Sequence, residues 1–254
     1  MATDAATWSD RGLTDRLRGT RFTDVRWFEA IDSTNTYALE AARRGVSEGL
    51  VVVADEQRAG RGRLGRRWES PPGASLLVSV LVRRESGDAQ PVTMATALAL
   101  ADAVGAVAGF RPALKWPNDL VVGDRKLAGV LAETDGTSVV VGAGCNVGWG
   151  ALPDDVAATA TACELESPHP VEREKLLVHF LHALDALLDH PERIAADYRS
   201  RLGTLGRRVR VERASDEVEG EAVDLEVDGA LVVLTDDGCR VPIHAGDVVH
   251  LRPT

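Results

Sequence analysis

One segment constrains this chain more than any other: twelve of the seventeen residues 92–108 are Ala, Leu or Val. They read as one long helix, apolar around nearly its whole circumference rather than along a single stripe. Such a helix is buried, so the rest of the chain has to supply the layers that cover it. Short apolar segments around it read as strands, at residues 25–31, 50–54, 76–82, 113–116, 127–133 and 138–147. Helices are expected at residues 10–18 behind a Ser9/Asp10 cap, after Ser33-Thr34 up to a stop at Gly45, and at residues 173–188 and 194–201. Residues 56–70 have no apolar period and are expected to form a loop. Near Leu202 the texture changes to five short alternating segments, at 208–212, 217–227, 230–234, 239–243 and 248–251, separated by turns such as Asp228-Gly229 and Asp237-Gly238. The expectation is an α+β fold: a mixed β-sheet domain flanked by helices over residues 1–202, then a small β-barrel over residues 203–254.

Composition narrows the function. The net charge of −10 argues against general nucleic-acid binding, with residues 58–67 as a basic exception. No apolar leader is visible at the N-terminus, and no run suggests a membrane span. Three widely spaced cysteines, Cys145, Cys163 and Cys239, form no C-x-x-C pair and fit a reducing, cytoplasmic setting. Basic residues are almost all Arg; the only lysines are Lys115, Lys126 and Lys175, and the only asparagines Asn35, Asn118 and Asn146. Coding bias explains the scarcity, and under it the survivors become candidates for positions where Arg or Asp does not substitute.

Four segments carry chemistry. In Gln57-Arg58-Ala59-Gly60-Arg61-Gly62-Arg63-Leu64-Gly65-Arg66-Arg67-Trp68 the glycines permit close backbone approach and the arginines offer planar donors to phosphate or carboxylate. The spacing fits neither a P-loop nor a dinucleotide fingerprint. A solvated basic loop is the alternative, but within an acidic chain the segment reads better as a local anion site. Lys115-Trp116-Pro117-Asn118-Asp119 ends a strand, and ten residues on Lys126 opens another, placed either in water at a hairpin end or in a pocket where it neutralises developing charge. Ser33-Thr34-Asn35 is either a plain helix cap or a set of polar groups for a ligand. Gly142 and Gly144 lie two apart on one strand, leaving a bare face for a flat ligand or for close helix packing.

In this order and spacing the segments resemble the biotin protein ligases. The matching residues are Ser33–Asn35, Gln57, Gly60–Arg66, Trp68, Lys115–Asp119, Lys126–Gly129 and Gly142–Asn146. The resemblance implies a class II synthetase-like biotin ligase fold with an SH3-like C-terminal barrel. It also implies ATP-dependent activation of biotin as biotinyl-5′-AMP, with Mg2+, and transfer to a lysine of a biotin carboxyl carrier domain. Biotin contacts are then expected from Ser33, Thr34, Asn35, Gln57, Arg61, Gly62, Arg63, Lys126, Gly129, Gly142 and Gly144. Arg66, Trp68, Lys115, Asn118 and Asn146 are expected to serve ATP. Lys126, Arg61 and Arg63 are expected to act in catalysis, with no metal ligands assigned. The implied molecule is a monofunctional cytoplasmic ligase, monomer or weak homodimer, with neither a nucleic-acid nor a membrane partner. Two rivals are a lipoate or octanoate transferase, whose characteristic signatures are absent, and a non-catalytic sensor, which does not need this many charged groups.

Overall fold

A computed structural model describes residues 12–84, 88–150, 152–213 and 216–251. The expected cap at Ser9/Asp10 lies outside the described residues, and the first helix that follows is the short α1 (Leu13–Arg16). The main sheet contains β1 (Asp24–Ile31), β2 (Leu50–Gln57), β3 (Ser75–Arg83), β4 (Ala113–Lys115), β5 (Asp119–Val122), β6 (Arg125–Asp135) and β7 (Ser138–Asn146). Its spatial order is β1-β2-β3-β7-β6-β5-β4, parallel between β1 and β2 and antiparallel elsewhere.

The helices are α2 (Thr34–Arg43), α3 (Gln90–Ala108), two short turns α4 (Asp154–Ala157) and α5 (Cys163–Glu166), then α6 (Arg173–Leu188) and α7 (Pro191–Ser200). Neither α4 nor α5 is expected from the sequence; four residues carry no helical period long enough to detect. Helix α3 is long and apolar enough to cross a membrane, yet it is buried in the core. One face of the sheet packs on α3 and α6, through Val78, Val80, Val139, Val141 and Ala143 among others. The opposite face packs on α2 through a much smaller cluster of Phe28, Ala38, Ala41, Leu50, Val52, Leu81 and Val140.

Five further strands, β8 (Arg208–Glu212), β9 (Glu217–Leu225), β10 (Leu231–Leu234), β11 (Arg240–Ile243) and β12 (Asp247–His250), form an antiparallel sheet in the order β11-β10-β9-β8-β12. The expected segments appear within one or two residues, because alternation and glycine turns are local signals: Gly229 and Gly238 adopt φ of 88° and 84°. Among the described residues no ladder joins β11 to β12, so the closed barrel expected from the sequence is not seen and the sheet is open.

Trp116 couples the two sheets. Its ring is 1% exposed. Its backbone N–H donates to Thr204 Oγ1 at 3.1 Å and its Nε1 to Gly229 O at 3.0 Å. Tyr198 of α7 donates to Pro117 O at 3.3 Å, and burial holds its phenol well above the usual range. The Lys115–Asp119 turn is thus seated by a buried aromatic with both polar groups satisfied. Trp116→Ala should destabilise the protein by about 3–5 kcal/mol through the cavity it leaves, and Trp116→Phe by about 1–2 kcal/mol through the orphaned Gly229 carbonyl, both measured as shifts of the urea midpoint at constant m.

Candidate active site

A cavity of about 280 Å³ opens on the α2 side of the sheet, beyond the end of that helix. Its floor follows from strand parity. Gly129 and Leu131 of β6 lie opposite Gly144 and Gly142 of β7, and side chains at these positions share one face. The glycines are required, but mainly by the protein's own side chains. A Cβ on Gly142 would sit 2.2 Å from Asn35 Oδ1, and one on Gly144 would sit 2.6 Å from Trp68 Cε2. A Cβ on Gly129 would press on Trp68 and on the Lys126 side chain at 3.1–3.3 Å. The bare face expected for a flat ligand is therefore partly occupied by the Trp68 indole, which becomes a wall. Its Nε1 is buried with no hydrogen-bond partner among the described residues.

Lys126 reaches the cavity by a β-bulge. Lys126 and Gly129 are an odd number of residues apart and would fall on opposite faces of a regular strand. The β5–β6 register shifts here: Val121 pairs with Lys126 but Leu120 with Ala128, leaving Leu127 unmatched. The bulge turns Lys126 to the same side as Gly129 while Leu127 stays in the core. Lys126 Nζ meets Asp119 Oδ1 at 2.7 Å and lies 5.5 Å from the Trp68 ring centroid.

The α2 wall is a chain of short hydrogen bonds. Ser33 caps α2 by accepting from Thr36 N. Thr34 N and Oγ1 both donate to Gln57 Oε1, at 2.9 and 3.0 Å. This leaves Gln57 Nε2 as the donor without a partner among the described residues. Ser79, fully buried, lies 2.7 Å from Thr34 Oγ1 and 2.6 Å from Asn35 Oδ1. Asn35 Nδ2 donates to Leu131 O and to Glu133 Oε2. Asn35 thus lines the cavity with both ends of its amide already engaged.

The arginine loop closes on itself over this floor. Trp68 N donates to Gly60 O at 3.0 Å, Gly62 N to Arg66 O at 2.7 Å, and Arg61 bridges to Arg67. Within the expected loop, Arg63–Gly65 forms a single 3-10 turn, with Leu64 at φ 54° and Gly65 at φ 73°. The left-handed pair turns the chain back on itself. Arg63 Nη1 donates to Asn118 Oδ1 and to Gly246 O, both at 3.3 Å, and lies 3.6 Å from Asp247 Oδ1. Arg66 contacts Asp247 directly. Burial pushes the Arg63 guanidinium below its usual range, opposed by Asp247 and Asp119. Asn118 also donates from Nδ2 to Val130 O at 2.7 Å, extending the sheet ladder through its side chain.

All the expected site residues line this cavity except Asn146. Its side chain is buried, donates to Thr161 O at 2.9 Å and accepts from Ser75 Oγ, so it holds the chain after β7 rather than facing the cavity. A Gly-x-Gly-x-Asn pattern cannot distinguish these fates, since Asn146 shares a face with the glycines but lies past the end of the floor. Sequence reasoning also misses Glu212 and Asp247, which come from the second sheet, and Asp119 as a cavity residue. Two acidic residues among ordinary β-segments carry no local signal. In total six cations (Arg61, Arg63, Arg66, Arg67, Lys115, Lys126) and three carboxylates line the cavity, an excess of three positive charges. In a chain of net charge −10 such a concentration suits an anionic ligand.

Fold and site together present a cation-rich cavity between a polar wall and an arginine loop, a setting suited to an anionic ligand. A sequence profile of the Biotin/lipoate A/B protein ligase family matches residues 27–149, and one of the Biotin protein ligase C terminal domain matches residues 204–251. The Biotin--[acetyl-CoA-carboxylase] ligase of Mycobacterium tuberculosis is 36% identical over 257 aligned residues, covering 96% of each chain. Among solved structures, the Aquifex aeolicus biotin protein ligase in complex with biotin and ATP superimposes with a TM-score of 0.81 at 27% identity, covering 91% of this chain and 100% of that one. The Leishmania major biotin protein ligase in complex with biotinyl-5-AMP gives a TM-score of 0.61 at 26% identity, covering 87% and 99%. The chain belongs to the biotin protein ligase family and is a ligase.

Gly144→Ala tests the floor. Displacing Trp68 should cost about 1–3 kcal/mol of overpacking strain; the expected outcome is a lowered Tm, a red-shifted tryptophan emission, and weaker stabilisation by biotin in thermal melts.

Proposed function

We propose that this protein condenses biotin with ATP to biotinyl-5′-AMP and then transfers biotin to a lysine of a biotin carboxyl carrier domain. The observation that carries this reading is Lys126, turned by the bulge into a cation-rich cavity whose other wall presents a polar donor set. Gln57 Nε2, oriented by Thr34, suits the ureido carbonyl of biotin, with Ser33 and Thr34 beside it. Asn35 and the glycines at 129, 142 and 144 shape that wall and its floor. Trp68 lies along the floor beside the Lys126 ammonium. Arg61, Gly62 and Arg63 cover the junction between biotin and nucleotide, and Lys115, Arg66 and Asn118 stand on the nucleotide side.

In the first step a biotin carboxylate oxygen attacks the α-phosphorus and pyrophosphate leaves. Charge grows on the phosphoryl oxygens, and Lys126 stabilises it where it develops. The Asp119 carboxylate at 2.7 Å holds Lys126 in place meanwhile. In the second step the neutral amine of the acceptor lysine attacks the acyl carbon, AMP leaves with the bonding electron pair, and the amine gives up a proton. An acyl adenylate hydrolyses readily, and a loop closed over it keeps water out. No residue of this chain is assigned to hold Mg2+; carried by the nucleotide, it would supply charge neutralisation at the phosphates. The free thiols of Cys145, Cys163 and Cys239 fit a cytoplasmic enzyme.

Removing a charge that acts mainly in the transition state costs about 10²- to 10³-fold in rate. Lys126→Ala should lower biotin-dependent pyrophosphate–ATP exchange by about that factor while weakening ATP binding much less. Near-normal exchange in the variant, or ATP-independent transfer of labelled biotin to a carrier domain by the wild type, would overturn the assignment.

A further inference from the structure

The strands that form the cavity floor continue beyond it. On β6, Gly129 and Leu131 are followed on the same face by Glu133, opposite Val140 rather than a glycine. Glu133 does not line the cavity, and nothing in the motif set marks it. Its carboxylate nevertheless joins the two parts of the site that the ligase reading assigns to biotin. Glu133 Oε2 accepts from Asn35 Nδ2 at 2.8 Å, on the α2 wall, and from Arg61 Nη2 at 2.9 Å, in the arginine loop. The same Arg61 nitrogen also reaches Thr36 Oγ1 at 3.2 Å.

We infer that Glu133 is a positioning residue for biotin: it fixes Arg61, and with it the entry end of the loop, against the wall that recognises the biotin ring. The inference rests on the ligase reading of the site. Two physical points support it. The Glu133 side chain is 25% exposed, so its charge is partly desolvated and draws the nearest cation towards it. The other end of the loop is held separately, by Asp247 on Arg63 and Arg66. The loop is therefore pinned at two ends, on the α2 wall and on the second sheet, and Glu133 governs only the biotin end. The same carboxylate keeps the Asn35 amide turned so that its oxygen meets Ser79, which in turn touches Thr34 and so the Gln57 donor.

Because Arg61 is nearly half exposed, the coupling is that of a partly screened pair. Glu133→Gln keeps an acceptor for Asn35 and removes the charge facing Arg61. In the biotin-dependent exchange assay it should raise the biotin KM about fivefold, the upper range for such a pair, and the ATP KM much less. The loop should also be cut faster by trypsin in the absence of ligands. Placed on an Arg61→Gln background, the same change should leave the biotin KM where Arg61→Gln alone puts it. Glu133→Asp keeps the charge but is one methylene too short to hold both partners, and should raise the biotin KM as well. A general structural role would instead lower Tm and activity without separating the two KM values. An unchanged biotin KM in Glu133→Gln and Glu133→Asp, or additive effects with Arg61→Gln, overturns the role of Glu133. Absence of biotin-dependent exchange in the wild type overturns the ligase reading instead.

Discussion

The unequal cover on the two faces of the main sheet governs everything else. One face is covered by α3 and α6 over the large core cluster. The other receives α2, ten residues long, or roughly 15 Å of helix. Seven strands at their usual spacing span roughly 29 Å, so α2 cannot cover the sheet. Beyond its end, the outer face of β6 and β7 would lie open to water. What covers it is the arginine loop, the Lys115–Asp119 turn and the edge of the second sheet, none of which packs as a helix would. The cavity is the space that remains.

That geometry explains why the floor is glycine. A side chain on Gly142 or Gly144 would not project into a ligand; it would displace Asn35 or Trp68, the groups that shape the ligand's space. The bulge at Leu127 follows the same logic. A regular β6 would have put either Lys126 or Gly129 on the core face, and a buried lysine against α3 would have had no partner. One extra residue lets the strand supply both. The Trp116 anchor then sets the distance from this floor to the second sheet, where Asp247 waits for the loop arginines.

Charge completes the device. The loop carries more arginines than the cavity's carboxylates can neutralise; Arg61 pairs with Glu133 just outside the cavity, and Arg63 and Arg66 with Asp247. Without ligand the arginines have partial partners, which lowers the cost of holding like charges together. An incoming carboxylate or phosphate competes for the guanidinium donors and adds the negative charge the site lacks.

Much of this protein is legible in its amino-acid sequence alone. The buried helix, the strands of the second sheet with their glycine turns, and the anion loop are visible there because period, turn chemistry and charge density are local properties. The match of four spaced motifs to one family supplies biotin, which no local property could. Tertiary structure decides what depends on contacts between distant residues. It separates Asn146 from the cavity, gives the glycines to Asn35 and Trp68, and brings Asp119, Glu212, Asp247 and Glu133 to the site or its margin. An acidic residue in a β-segment looks the same in sequence whether it faces water or an arginine. Only register, twist and the reach of another strand decide which, and those are properties of the folded chain.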